Sequence, residues 1–239
     1  MTTELIQNPP QTSAHSRPTR PTILPLENGE RLTRSEFERR YAAMSRVKKA
    51  ELIEGAVHIM PSALHHQAHG SPHGIMAGWL FVYVAATPGV EVSDNATVRL
   101  DADNEYQPDV LLRLKTGGRS RVSDDDYIEG APELIIEIAA SSASIDLHEK
   151  KRAYRRAGVQ EYIVWEVYDE QIEWFILREG EYVLLKPDEN GVCASEVFPG
   201  LRLAVTALLQ GDLAAVMAEV QKGLASPEHT AFAASLAGQ

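Results

Sequence analysis

Residues 130–142 read GAPELIIEIAASS and place a carboxylate, Glu137, in the middle of an apolar run. The residues from Leu134 to Ile138 form the continuous hydrophobic segment typical of a strand that is covered on both faces. An ionised carboxylate buried there without a partner costs roughly several kcal/mol. The sequence therefore predicts a buried strand inside a helix-covered sheet, together with a partner that compensates Glu137.

Composition indicates a globular protein. The chain has 239 residues and a mass of 26.3 kDa, with 44% hydrophobic and 24% charged residues, which is enough apolar material for a core. No run of about 20 apolar residues could span a membrane, and no basic start followed by an apolar core indicates a secretion signal. The single cysteine, Cys193, excludes an internal disulfide and fits a reducing cytoplasm. We therefore expect a cytoplasmic protein.

Three segments differ in pattern. The first 29 residues hold five of the 13 prolines and show no apolar periodicity, which predicts a flexible tail over residues 1–30. Residues 31–205 alternate helical and strand patterns and predict one folded domain. Residues 206–239 predict a C-terminal helix and a frayed end. The order helix, strands, helix, strands predicts an α/β fold with a mixed central sheet flanked by helices.

Local signals predict the individual elements. A Thr33–Glu36 capping box opens a helix to about Ser45, and "KAELIEGAVHIM" predicts a hairpin or bulged strand around Gly55. A long helix follows Ser71, a candidate cap, and Pro72. The later predicted elements are strands in 90–100, a strand over 105–114, a polar loop over 115–130, the Glu137 strand, a helix from Ser142 or Ser144 to Ala157 closed by Gly158, three strands between 161 and 187, and a helix over 205–224.

Two acids and a lysine form the candidate site. Asp109 and Glu137 lie at or in apolar strands, 28 residues apart, and on neighbouring strands their carboxylates can point to the same end of the sheet. Mg²⁺ often uses one or two protein carboxylates, with water and substrate phosphate as further ligands. The next helix places Asp146, Lys150 and Tyr154 on one face at i, i+4 spacing. Lys150 could there orient an attacking water or hold a phosphate.

Each of these residues also has a simpler interpretation. Asp109 could be a strand-entry acid or a turn acceptor. Glu137 could belong to a buried ion pair with an arginine or a lysine, and Lys150 could be a solvated i, i+4 partner of Asp146.

Four motifs in a fixed order carry a resemblance. They are "ELIEG" at 51–55, "QPDVLL" at 107–112, "GAPELIIEI" at 130–138 and "DLHEKKRAYRRAGVQEYIVWEV" at 146–167. Over about residues 33–205 the set resembles the Uma-two family of restriction-endonuclease-like proteins, whose domain is similar to the PD-(D/E)xK nuclease fold. The resemblance implies a nuclease-like domain over 31–205 and a phosphodiesterase that acts on DNA with Mg²⁺ (or Mn²⁺).

The resemblance also implies roles for individual residues. Asp109 matches the acid of the "PD" element and Glu137 the second acid, both as metal ligands. The superfamily lysine two residues after that acid is Ala139 here, and Lys150 matches the family's lysine on the following helix. Glu51 matches an acid that could be a further metal ligand or line the site. His66 and Gln67 match a pair that opens the family's long helix and could line the site, as could Tyr154.

The sequence departs from the family in two places. "AASSAS" replaces an apolar residue followed by Ser-Pro-Ser, so the loop after Glu137 lacks a proline. The stretch "HHQAHGSPHG" has extra histidines, and Gly70 and Pro72 stand where the family helix would run unbroken. His65, His69 and His73 have i, i+4, i+8 spacing that invites a zinc site, but we expect the glycine and the proline to interrupt a common helix. A solvated or site-lining loop is the alternative.

Charge and amphipathicity do not decide whether the protein binds nucleic acid or a second subunit. The net charge of −11 opposes delocalised binding to nucleic acid, although "EKKRAYRR" with "RLKTGGRSR" offers a local basic surface that could hold a phosphate backbone. The alternative is a solvated helix face that offsets nearby acids. The helix after Val205 is amphipathic enough to cover a sheet edge or to contact a second subunit, so a homodimer is one expectation.

Three functions compete. The first is a metal-dependent endonuclease, and Asp109→Asn would abolish its cleavage of DNA. The second is a catalytically silent domain of the same fold that binds DNA or protein, which would show binding without cleavage under any divalent ion. The third is a small-molecule phosphoesterase that uses the histidine-rich loop, which would depend on His66 and His69.

Overall fold

The computed structural model describes residues 23–47, 49–60, 65–140 and 142–237. Within these ranges the chain forms six α-helices and fourteen strands. The strands assemble into two six-stranded sheets and a two-stranded hairpin. This mixed α/β architecture confirms the predicted fold class.

Six helices surround the sheets. They are α1 (Arg34–Tyr41), α2 (Ser71–Ala85), α3 (Lys151–Ala157), α4 (Val205–Leu209), α5 (Leu213–Leu224) and α6 (Pro227–Ala237). Two π-helical turns, His66–Gly70 and Ile145–Lys150, run directly into α2 and α3. Gly158 ends α3 with φ 88°, the left-handed geometry that terminates many helices and that the sequence predicted here.

The strands are β1 (Ala50–Ile53), β2 (Ala56–Ile59), β3 (Val90–Asp94), β4 (Val98–Arg99), β5 (Glu105–Tyr106), β6 (Val110–Leu114), β7 (Ser120–Val122), β8 (Ile128–Gly130), β9 (Leu134–Ala139), β10 (Glu161–Glu166), β11 (Gln171–Arg178), β12 (Glu181–Leu184), β13 (Val192–Ala194) and β14 (Arg202–Ala204). The central sheet has the order β12-β11-β10-β9-β6-β3, and the second sheet the order β2-β1-β5-β4-β8-β7. β9 and β10 are parallel, and α3 lies in the crossover between them, as parallel strands require.

Strand β9 is buried over its whole length, which confirms the central-strand prediction. Its apolar even-numbered residues pack in one core cluster with α2 and α5. Ile135 and Ala139 pack on the opposite face with α3 and the second sheet. Glu137 has the same parity as these two residues, so its side chain faces α3 and the second sheet.

The predicted hairpin around Gly55 is confirmed. β1 and β2 pair antiparallel across Glu54 and Gly55, which have φ of 50° and 77°. Two consecutive positive φ angles match the turn that best suits the twist of a two-residue hairpin. The hairpin holds β1, and with it Glu51, in the second sheet, which packs against α3.

Several local predictions were wrong. The Thr33 side chain makes no capping hydrogen bond at the start of α1, and the Glu36 side chain pairs with Arg39 and Arg40 instead of completing a capping box. Ser71 is helical and does not cap α2. The stretch 105–114 is two strands, β5 and β6, that belong to different sheets, and the predicted loop over 115–130 contains the antiparallel pair β7 and β8.

Gly70 and Pro72 do not interrupt the helix before α2. The π-helical turn ends at Gly70, which has helical dihedral angles, and Pro72 lies in the first turn of α2. A proline is tolerated there because its missing N–H would lack a partner in any case. His69 and His73 consequently lie one turn apart, with ring centroids 5.5 Å from each other.

The predicted N-terminal tail lies mostly outside the described residues and stays a prediction, whereas the predicted frayed C-terminal end is wrong. Residues 1–22 lie outside the described residues, and 23–30 contain no helix or strand. The predicted single helix over 205–224 is divided into α4 and α5, and the residues expected to fray form α6. Val216 and Val220 of α5 belong to the same core cluster as α2 and the central sheet, so α5 and α2 cover the same face of that sheet.

Candidate active site

Glu137 has two side-chain partners on α3 and the π-helical turn before it. Lys150 Nζ donates to Glu137 Oε1 at 3.0 Å, and Tyr154 Oη donates to the same oxygen at 2.8 Å. All three side chains are buried. The partner that the buried Glu137 requires is therefore Lys150, which lies in the crossover between β9 and β10.

Lys150 lies among three carboxylates. Besides Glu137, its Nζ is 3.0 Å from Glu51 Oε2 and 3.3 Å from Asp146 Oδ1. Glu51 comes from β1 of the second sheet, and its Oε1 also accepts the Gln107 backbone N–H at 2.9 Å. The predicted i, i+4 pair of Asp146 with Lys150 exists, but both side chains are buried and are not solvated.

Asp109 precedes β6 and is anchored to β9. Its Oδ2 accepts the Ile138 backbone N–H at 2.8 Å. Val110 is paired with Ile136, so the same register extended by one residue sets Asp109 opposite Glu137. The Oδ1 atom lies 3.2 Å from His69 Nε2 and 3.6 Å from Lys49 Nζ.

These groups meet in one cavity of about 140 Å³ that is open to solvent. We call it the site pocket, and its charged or titratable walls are Asp109, Glu137, Asp146, Lys150, Lys49, His65 and His69. Asp109, Glu137 and Lys150, the three predicted catalytic residues, all line it. Glu51 and Tyr154 do not line the site pocket. Glu51 contacts Lys150, and Tyr154 donates a hydrogen bond to Glu137.

The site pocket holds more carboxylates than one lysine can neutralise. Burial raises the pKa of Glu137 to about 8, and Lys150 opposes this shift while Asp146, Asp109 and Glu51 add to it. Burial would lower the pKa of Lys150, but the surrounding carboxylates raise it well above its ordinary value. An isolated ion pair would lower the pKa of its acid. The pKa of Glu137 rises instead because burial, with the neighbouring acids Asp146, Asp109 and Glu51, outweighs the effect of Lys150.

Asp109 has the opposite shift. Burial would raise its pKa, but the His69 hydrogen bond, the Lys49 ammonium and the Ile138 N–H together lower it to about 2. The pocket therefore presents one firmly ionised carboxylate beside a second one that burial tends to keep protonated. Such divergent pairs are common in active sites.

The residues of the site pocket suit a hard divalent cation. Four buried carboxylates, those of Glu51, Asp109, Glu137 and Asp146, face the ammonium groups of Lys150 and Lys49, which leaves two negative charges when all are ionised. Within the described ranges, Glu51 Oε2 and Asp146 Oδ1 are buried, and Lys150 Nζ is their ion-pair partner at 3.0 and 3.3 Å. No three acidic, histidine or cysteine side chains in those ranges are grouped as a complete metal cage. A Mg²⁺ ion held by two carboxylates, water and substrate needs no such cage.

The residues of the histidine-rich stretch lie in three different surroundings. His65 and His69 line the site pocket. His73 Nε2 lies 2.7 Å from Asp94 Oδ1 and 3.0 Å from the Asp109 carbonyl oxygen. His66 and Gln67 line a neighbouring cavity instead. Of the three spaced histidines, His69 and His73 each contact an acid, and His65 lines the site pocket.

The basic outer face of α3 offsets nearby acids, which was the alternative to a surface that holds a phosphate backbone. Arg155 pairs with Glu181 at 2.6 Å, and Arg156 pairs with Glu54 at 2.7 Å. These arginines offset nearby acids on the side of the helix away from Lys150. Their charge is already compensated within the chain.

Three residues of the pocket were not predicted as site residues. Lys49 directly precedes β1, where no sequence pattern marks it. The sequence offered His69 as a zinc ligand, as part of a solvated or site-lining loop and as a phosphoesterase residue, but not as the partner of Asp109 that the structure shows. Asp146 was noted only as a helical neighbour of Lys150, and that i, i+4 spacing was the available signal.

Comparison with known proteins decides the family. The profile of the Uma2 family, described as "putative restriction endonuclease", matches residues 34–206. The chain belongs to this family. The match includes every site-pocket residue and confirms the resemblance carried by the four motifs.

A solved structure supports the fold of this Uma2 domain. A nuclease described as putative and as belonging to DUF820, from Anabaena variabilis ATCC 29413, superposes with a TM-score of 0.55 at 12% identity, over 72% of this chain and 96% of that chain. At this identity the likeness concerns the fold alone. No curated protein matches the chain. None of the helices in the described ranges has the length and apolar composition of a membrane span.

Proposed function

We propose that this Uma2 chain is a divalent-metal-dependent endonuclease that hydrolyses DNA phosphodiesters. The observation that carries the proposal is the convergence of Asp109, Glu137 and Lys150 on one open pocket from three separate parts of the chain. The excess of buried carboxylates over ammonium groups supports a cation there. Membership of a family described as restriction endonucleases supports DNA as the substrate class.

Asp109 and Glu137 would hold the Mg²⁺ or Mn²⁺ ion. When bound, the cation supplies Lewis-acid stabilisation of phosphate charge and makes a water molecule more acidic. Asp109 is fixed for this role because its Oδ2 is held by the Ile138 N–H while Oδ1 faces the pocket. Water and phosphate oxygens would supply the remaining ligands.

Lys150 would place its ammonium group against the substrate. Glu51 and Asp146 hold Nζ at the pocket wall, so its position does not depend on Glu137 alone. From there an ammonium can donate a hydrogen bond to the attacking water or to a phosphate oxygen on which charge develops. We assign Glu51 to positioning Lys150 rather than to metal ligation, because Glu51 does not line the pocket.

The test is cleavage of plasmid DNA by the purified chain with Mg²⁺, with Mn²⁺ and with EDTA. We expect cleavage that requires the metal and that Asp109→Asn and Glu137→Gln each reduce by about 10²- to 10³-fold. Glu149→Gln is the matched control, since Glu149 lies next to Lys150 in sequence but pairs with His58 outside the pocket. Cleavage that survives Asp109→Asn would place the active site elsewhere.

A second candidate is a catalytically silent nuclease-fold domain that binds DNA or protein. The observation in its favour is that Lys150 already lies between Glu51, Glu137 and Asp146. An ammonium in this position can substitute for a structural cation. Binding of DNA without cleavage under Mg²⁺, Mn²⁺ or Ca²⁺ would select this candidate over the nuclease.

A further inference from the structure

A second cavity adjoins the site pocket. It has a volume of about 510 Å³ and is lined by His65, His66, Gln67, Ala68, Val167 and Tyr168. His65 and Ala68 also line the site pocket, so the two cavities share a wall. We call it the Tyr168 cavity. Its volume lies in the range of small-molecule sites in proteins.

Tyr168 is an exposed aromatic residue on a fixed support. It lies in the turn that joins β10 to β11, and 66% of its surface is exposed. The Val167 N–H donates to the Ala139 carbonyl at 2.9 Å, which ties this turn to the end of the Glu137 strand. A tyrosine held open to solvent at that point offers a flat, exposed ring.

Three of the other lining side chains are polar. The π-helical turn His66–Gly70 and the preceding His65 present two imidazoles and the Gln67 amide. π-helical turns often mark functional sites. None of the six lining residues is acidic, although the chain carries a net charge of −11. The cavity therefore does not repel a strand that brings phosphate groups.

We propose that the Tyr168 cavity binds an unpaired nucleobase of the DNA strand whose phosphate lies at Asp109 and Glu137. The base stacks on the Tyr168 ring, and His66 and Gln67 face its hydrogen-bonding edge. Stacking on an aromatic ring requires a base that is outside a duplex and tolerates different bases. This inference rests on the proposed function and narrows its substrate to single-stranded or locally unpaired DNA.

The experiment measures binding of a fluorescein-labelled single-stranded oligodeoxynucleotide by anisotropy, in the Asp109→Asn background to prevent cleavage. Added Tyr168→Ala is expected to weaken affinity by about five- to tenfold, the lower range for loss of one base–aromatic stack. Tyr168→Trp should stay within about twofold. Phe81→Ala is the matched control, because Phe81 is 64% exposed on α2 and lines neither cavity.

A series of oligonucleotides with one abasic position locates the base. At one or two positions, loss of the base should weaken binding as Tyr168→Ala does, and the two changes together should cost no more than either alone. Additive losses at every position, an unchanged affinity in Tyr168→Ala, or no binding of the oligonucleotide at all would overturn the inference.

The outcomes separate this inference from the nuclease proposal. If Tyr168→Ala weakens binding but no divalent ion supports cleavage, the endonuclease function fails and the base site stands. If metal-dependent cleavage occurs but Tyr168→Ala leaves both affinity and cleavage unchanged, the base site fails alone.

Discussion

Two buried glutamates on neighbouring parallel strands have opposite surroundings. Glu161 begins β10, where Ser195 Oγ donates to its Oε2 at 2.8 Å and the N–H groups of Glu196 and Val197 donate to its Oε1 at 2.8 and 3.2 Å. Glu137 in β9 has side-chain donors, an open pocket and further acids around it.

The difference teaches how to interpret a buried strand acid. At Glu161, two backbone N–H groups and one serine hydroxyl occupy both carboxylate oxygens and leave no position for a ligand. Glu137 accepts from Lys150 and Tyr154 at Oε1 and has neighbours of the same charge, so it retains capacity for an additional cation. The first arrangement indicates a structural residue and the second a functional one. The predictions below compare the two residues directly.

The largest expected difference is in catalysis. Glu137→Gln should reduce DNA cleavage by about 10²- to 10³-fold, because a neutral amide no longer holds the cation. Glu161→Gln should keep cleavage within about threefold of the unchanged chain. The measurement is the initial rate per folded molecule, with circular dichroism to establish the folded fraction. Equal rates for the two variants would remove the distinction between the glutamates.

The next effect concerns the stability that Lys150 provides as the charged donor to Glu137. Lys150→Met should lower the free energy of unfolding by about 3–5 kcal/mol without metal, because it leaves buried carboxylates without their cation. Lys151→Met is the control and should cost about 0.5–1 kcal/mol, since Lys151 Nζ lies above the Phe175 ring at 3.3 Å and touches no site acid. Urea unfolding measures both values, and similar losses would show that Lys150 is not the compensating charge.

A third effect is the pH dependence of stability. Burial raises the pKa of Glu161 from 4.5 to about 7, against the hydrogen bonds from Ser195, Glu196 and Val197. The folded chain then binds the proton more tightly than the unfolded chain does. The resulting stability is fully present below about pH 4.5 and is lost as the pH rises through about 7, on the order of 3 kcal/mol.

The measurement is urea unfolding at pH 5 and pH 8. Glu161→Gln should lose less stability than the unchanged chain over this interval, because its amide does not titrate. Glu137 and Glu105 have raised pKa values of the same sign, so some slope should remain. Identical slopes in the two proteins would contradict the shift at Glu161.

The smallest effects come from the two hydroxyl donors. Ser195→Ala should lower the free energy of unfolding by about 1–2 kcal/mol and leave cleavage unchanged. Tyr154→Phe should cost a similar free energy and also reduce cleavage by about tenfold, since Tyr154 Oη donates to Glu137 Oε1 and orients it. A Tyr154→Phe variant with full activity would assign Tyr154 to the core alone.

Local patterns in the sequence predicted much of the central sheet. The apolar run at Leu134 predicted a strand buried on both faces, and the spacing of Asp146, Lys150 and Tyr154 placed three site contacts on one helical face. The Glu137 charge in that run predicted a compensating partner. These features depend on neighbours within a few residues, which periodicity records.

Other features depend on distant pairings that no local pattern encodes. Glu51 meets Lys150 across 99 positions, and the second sheet is built from strands as short as two residues. The α6 helix was missed because its anchor is tertiary, a buried His229 whose Nε2 contacts Thr87 Oγ1 at 2.9 Å. The Thr33–Glu36 capping box was predicted but is absent, and Glu36 instead pairs with Arg39 and Arg40 on α1.

The central claim is that Asp109 and Glu137 together bind one divalent cation. The most direct measurement is a Mn²⁺ titration followed by the electron paramagnetic resonance signal of the free ion. The account predicts one bound Mn²⁺ per chain, retained in Glu161→Gln and lost in both Asp109→Asn and Glu137→Gln. Equal binding by all four proteins, or binding by none of them, would contradict it.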